Sequence, residues 1–82
     1  MTATRDDIRG WLMQGKRDGA THVIIVCDTF DWEDYPVYVQ PGVSVEEEIA
    51  KYDNKNMQKV MEVYNLALLF GPQLSELRAW HV

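Results

Sequence analysis

The chain has 82 residues, 46% of them apolar, and a formal net charge of −5. That length makes a single domain, 1-82, and the apolar share excludes a disordered chain. The acidic balance excludes binding nucleic acid through its phosphates, which requires a basic face.

In chain order, Thr4 is a good N-cap, with Asp6 and Asp7 in the first turn where the helix dipole favours negative charge. Ile8, Trp11 and Leu12 then give the apolar stripe of a helix. Gly10 costs that helix about 1 kcal/mol relative to alanine, so it marks either a close contact or simple tolerance. Residues 15–19 end the helix, and Lys16 and Arg17 suit its C-terminus. Val23, Ile24, Ile25 and Val26 form a β-branched run typical of a strand covered on both faces. Residues 36–40, preceded by Tyr35, read as a second strand, so 22–40 is an antiparallel hairpin with an acidic tip at 28–34.

Pro41-Gly42 is a turn, and Ser44 with Glu47 forms a capping box opening a short helix that buries Val45, Ile49 and Tyr52. Glu46, Glu47 and Glu48 are then the acidic first turn of that helix. Residues 57–68 fit two periods. Met57, Val60, Met61, Tyr64, Ala67 and Leu68 suit a helix, whereas Val60, Val63 and Tyr64 supply strand density. A third strand over about 58–66 is preferred because an isolated hairpin is a poor core. Gly71-Pro72 starts a last helix with proline at its first position and a stripe of Leu74, Leu77 and Trp80 or His81. The expected fold is α+β: α-β-β-α-β-α, with a three-stranded antiparallel sheet packed by helices. Leu66, Leu68, Leu69 and Phe70, added to Trp11, Trp32 and Trp80, exceed what a small domain buries. A homo-oligomer is therefore expected, formed through the sheet edge or the C-terminal segment.

The single cysteine, Cys27, excludes an internal disulfide and a cysteine-based zinc site, and a buried structural thiol is its ordinary role. His22 lies five residues away on the same strand, roughly 16 Å distant, and cannot be its base. The polar N-terminus shows no signal-peptide pattern and no apolar run approaches the ~20 residues of a membrane span, so a cytoplasmic protein is expected. Asp28, Asp31, Glu33 and Asp34 invite a hard-cation reading, but the spacing is not that of a calcium loop and no glycine is present. Such a tip is more often a turn, with Asp28 or Asp31 bonding local amides. No metal or other cofactor is expected. No phosphate loop, Ser-His-Asp set or HExxH occurs, so an enzyme is the least favoured class.

A binding module uses the same residues differently. Phe30, Trp32, Tyr35 and Tyr38 offer faces for stacking, although aromatics at alternate strand positions are commonly packing pairs. Asp28, Thr29 and Asp31 can accept from hydroxyls or amines, while Lys16, Arg17 or Arg78 can meet a phosphate. With Trp11, these residues (Arg78 aside) make up the expected ligand site.

The run 19–31, Gly-Ala-Thr-His-Val-Ile-Ile-Val-Cys-Asp-Thr-Phe-Asp, continues through Tyr35-Pro36-Val37-Tyr38-Val39. Together with Met57-Gln58-Lys59-Val60-Met61-Glu62-Val63-Tyr64 it resembles small uncharacterised proteins encoded in phages and prophages. The resemblance covers most of the chain and implies a counter-defence context in a host cytoplasm. It leads to a binding protein that sequesters a nucleotide-derived signal without cleaving it. The alternative is an acidic inhibitor, a nucleic-acid mimic whose tip and Glu46 to Glu48 bind a basic defence protein. A metal-dependent phosphoesterase built on Asp28, Asp31 and Glu62 is a third reading.

Overall fold

The computed structural model describes residues 3–82. Its elements are α1 (Arg5–Arg17), β1 (His22–Asp28), β2 (Glu33–Val39), α2 (Val45–Tyr52), β3 (Gln58–Asn65) and α3 (Phe70–Leu74). The strands form one antiparallel sheet in the order β2-β1-β3. The class and element order are those expected from the sequence. None of the described helices is long and apolar enough to cross a membrane.

β1 is central, and its apolar run is covered on both faces. Val23 and Ile25 join Ile8 and Leu12 of α1 and Leu74 of α3 in one core. Ile24 and Val26 join Val45 of α2, with Ile49 and Tyr52 packed beside it, in a second. Alternation along an extended strand produces this division, because successive side chains point to opposite faces. Thr4 caps α1 reciprocally: its hydroxyl accepts from Asp7 N at 3.1 Å while its own N–H donates to Asp7 Oδ2 at 3.0 Å. Ser44 caps α2 by accepting from Glu47 N at 3.3 Å.

The ambiguous segment is a strand with a fault in its register. Ile25 pairs with Glu62 and Val26 with Val60, which leaves Met61 as a bulge. Val60 and Val63 therefore face the α2 core although three positions apart, and Glu62 and Tyr64 face the α1 side.

Two sequence expectations are corrected. β2 starts at Glu33 and not at Pro36, so Glu33 and Asp34 belong to the ladder and the loop is only 29–32. The last helix covers Phe70–Leu74 alone, and Leu77, expected on its buried stripe, is wholly exposed. Beyond it the chain runs extended along the outer edge of β3, bridging Trp80 to Val63 in parallel. Val63 N donates to Ala79 O at 2.9 Å and His81 N to Val63 O at 3.0 Å. An edge strand offers unpaired amides and carbonyls, and pairing them outweighs continuing a short helix with little to bury.

Candidate functional site

The hairpin tip is built by its own backbone. Asp28 Oδ1 accepts from Phe30 N at 2.8 Å and Asp31 N at 3.4 Å, an Asx turn that occupies the carboxylate. Thr29 is tied to the loop before β3, its N–H and its hydroxyl each donating to Met57 O at 2.8 Å. Trp32 at φ 57° and Met57 at φ 61° adopt the left-handed conformation, which costs large side chains of order 1–3 kcal/mol each. Trp32 N donates to Asp28 O at 2.6 Å, and the two bonds from Thr29 hold Met57. Asp31 is exposed, as are Phe30 at 72% and Trp32 at 65%.

The other expected ligand residues lie elsewhere. Trp11 and Tyr38 pack on the α1 core, whereas Tyr35 packs on the α2 core and accepts a hydrogen bond from the Gln58 side-chain amide. The two tyrosines are thus on opposite faces of the sheet and cannot stack on one ligand. Lys16 Nζ donates to Leu66 O at 2.8 Å, and Arg17 is exposed. Because α1 hands the chain to the start of β1, both cations sit at the His22 end, roughly 20 Å from the tip along the strand. The ten residues therefore form no single pocket.

The acidic groups are divided in the same way. Glu46 lies close enough to His22 to favour its charged form, which places the first turn of α2 at the end of β1 opposite the tip. Glu62, paired with Ile25, is three strand positions from Asp28, roughly 10 Å. Among the described residues no group of three or more His, Cys, Asp and Glu side chains is arranged to hold a metal ion. Cys27 is buried, and burial, with Asp34 second, pushes its thiol up, away from a nucleophilic thiolate.

What the fold does bring together is a cleft of about 740 Å³ between the N-terminal turn of α1, β3 and the C-terminal segment. Ile8, Ile25, Val60, Met61 and Leu77 supply apolar lining; Arg5, Lys59 and Arg78 supply positive charge against Asp34 and Glu62. Glu62 is only 8% exposed and both its oxygens are occupied. Oε1 accepts from Arg5 Nη1 at 2.8 Å and from the Tyr64 hydroxyl at 2.7 Å; Oε2 accepts from Ala79 N at 2.9 Å. Burial works most strongly against the Arg5 charge, but the hydrogen bonds and charges of Glu62 and Tyr64 together outweigh it and hold the guanidinium above its ordinary value. Burial, then the Glu62 carboxylate, pushes the Tyr64 hydroxyl far above the usual tyrosine range.

Arg78 is held by backbone carbonyls. Its Nε donates to Met61 O at 2.9 Å and Nη2 to Val60 O at 3.3 Å, and its guanidinium carbon stands 4.4 Å from the Trp80 ring centroid. The cleft thus carries a fixed guanidinium charge at its rim, near Lys59, on a protein that is acidic as a whole.

Of the cleft's charged residues, the sequence singles out Arg78 as a phosphate contact and Asp34 and Glu62 only in metal-dependent readings. The signal for the rest was weak. Glu62 and Tyr64 alternate on a strand and so had to share a face, but nothing local tied Arg5 to them.

His22 has a separate property. Its Nδ1 is 2.9 Å from the Thr21 hydroxyl, while Nε2 is shut off from solvent and has no partner among the described residues. Burial lowers its pKa below the usual 6.5, with Glu46 partly opposing. The native state therefore favours the neutral ring. This contribution to stability is complete above pH 6.5 and is lost as pH falls from there through the folded pKa. Thermal melts at pH 7.5 and pH 5.5 should show a drop in the wild type that is smaller in His22→Asn. Equal drops in both proteins would exclude His22 as its source.

No protein-family model matches the chain, and no curated protein or solved structure matches it either.

Proposed function

We propose that the domain is a non-catalytic binding protein that captures a phosphate-bearing, nucleotide-like small molecule in the cleft between α1, β3 and the C-terminal segment. The observation that carries this reading is the meeting of Arg5, Lys59 and Arg78 at an apolar-walled cleft of about 740 Å³ in an acidic protein. The volume lies within the usual range of small-molecule sites, roughly 300–1,000 Å³. Arg78 offers its remaining donors to a phosphate, Lys59 a mobile point charge, and the apolar wall a surface for a base. The phage resemblance gives the capture a purpose: sequestration of a host signalling nucleotide in the cytoplasm. Against an acidic mimic stands the separation of Glu46 from the hairpin tip, since a mimic needs a continuous acidic face.

The test is native mass spectrometry and calorimetry with a panel of cyclic and linear nucleotides. Wild type should retain one of them with its mass unchanged. Lys59→Ala and Arg78→Ala should each weaken capture about tenfold or more, the loss of one charge-assisted contact. Arg17→Ala, at the far end of the sheet, should bind as wild type. A panel that leaves no bound mass, or capture that survives the double substitution, removes the reading.

A further inference from the structure

The apolar excess near the C-terminal end of β3 is only partly buried. Leu66 is 2% exposed, but Leu68 is 49% and Leu69 78% exposed. Leu68 and Leu69, with Phe70 and Pro72, line a cleft of about 480 Å³ flanked by Arg9 and Lys16, and no acidic residue lines it. At the other end of the sheet stands the hairpin tip, with exposed Phe30 between Asp28 and Asp31, then Trp32 and Glu33. The two ends are complementary in both respects that set a protein interface. An aromatic anchor meets an apolar pocket, and flanking carboxylates meet flanking cations.

They cannot meet within one molecule, because they are separated by the length of β1, roughly 20 Å. Edge-to-edge sheet pairing is also poorly served. The outer edge of β3 is bridged at Val63 by Trp80, and the edge strand β2 carries Pro36, which has no N–H, at its centre. We propose that copies of this chain associate head to tail, the Phe30–Glu33 tip of one seating on the Leu69 cleft between Arg9 and Lys16 of the next. Lys55 and Lys59 lie on the loop and strand beside the tip and moderate its charge, so the aromatic anchor supplies affinity and the acids supply orientation. Such a contact is heterologous and builds a closed ring or an open filament.

The experiment is sedimentation velocity of the whole chain over a concentration series, with Phe30→Asp and Leu69→Glu as variants. Both side chains are exposed, so the variants keep the fold, which circular dichroism checks. Wild type should sediment above monomer mass, and less so at high salt. Each variant alone should fall to monomer. Mixed in equal amounts they should form a dimer and nothing larger, since one intact tip and one intact cleft remain. A monomeric wild type, variants that still associate, or a mixture that stays monomeric would each overturn the proposal. Nucleotide capture is read in a different cleft and does not depend on the outcome.

Discussion

Glu62→Ala should lose about 3 kcal/mol of stability in urea-induced unfolding. The carboxylate joins three parts of the chain: Arg5 at the start of α1, Tyr64 on the same strand, and the amide of Ala79 in the C-terminal segment. Removing it leaves the Tyr64 hydroxyl proton and the Ala79 N–H without their acceptor in a site where both residues have 0% exposure. A buried donor left unmatched costs about 1–3 kcal/mol. Arg5 adds less, because its side chain is 47% exposed and water can replace the carboxylate. Glu48→Ala, which breaks the surface pair with Lys51, should leave the midpoint unchanged and serves as the control. A Glu62→Ala protein within about 0.5 kcal/mol of wild type would show that the network contributes little. Since Arg5 also lines the candidate ligand cleft, the same variant couples the stability of the C-terminal segment to the shape of the site.

Two glycines on α1 should respond in opposite directions. A Cβ on Gly15 would lie 3.0 Å from Tyr38 Cδ1 and 3.1 Å from both Leu66 Cδ1 and Val23 Cγ2. Val23 and Leu66 are fully buried, so they have no room to retreat. Gly15 is thus where α1 approaches the sheet most closely, and Gly15→Leu should cost about 3 kcal/mol by overpacking. A Cβ on Gly10 would meet nothing within 4 Å. Gly10→Ala should therefore stabilise the protein by about 0.5–1 kcal/mol through helix propensity alone. Chemical denaturation of the pair decides the matter. Two variants shifted in the same direction would mean that the helix does not dock on the sheet at Gly15.

The same helix shows how far a sequence can be read. Its start was legible because capping is local: Thr4 and Asp7 are three residues apart and find each other as soon as the first turn forms. The role of Gly15 was not, because a glycine near a helix end ordinarily reads as its terminus, and the three side chains that crowd it come from β1, β2 and beyond β3. The segment 57–68 read as both helix and strand for an identifiable reason. The bulge at Met61 sets Val60 and Val63 on one face, a spacing of three that imitates a helical period inside a strand.

Leu74, Leu77 and Trp80 have helical spacing, which predicts a longer C-terminal helix than the observed Phe70–Leu74. The spacing alone gives no information about the unpaired edge of β3, which holds 79–81 extended instead. The expected ligand site failed to converge for a related reason. Chemical type alone unites its residues, but the direction of α1 relative to β1 separates Lys16 and Arg17 from the tip, and strand alternation separates Tyr35 from Tyr38.

The sequence by itself determined what rests on neighbours along the chain: the N-caps Thr4 and Ser44, the doubly covered β1 and a turn held by Asp28 or Asp31, whereas the third strand, and with it the α-β-β-α-β-α order, followed from the hairpin's need for a sheet partner. Only the tertiary structure decided which charges share a cleft. Arg5, Lys59, Glu62 and Arg78 come from α1, β3 and the C-terminal segment, and Arg5 and Glu62 stand 57 positions apart in the chain. Their meeting depends on how the layers pack, and side-chain burial and hydrogen bonding across layers carry no local period.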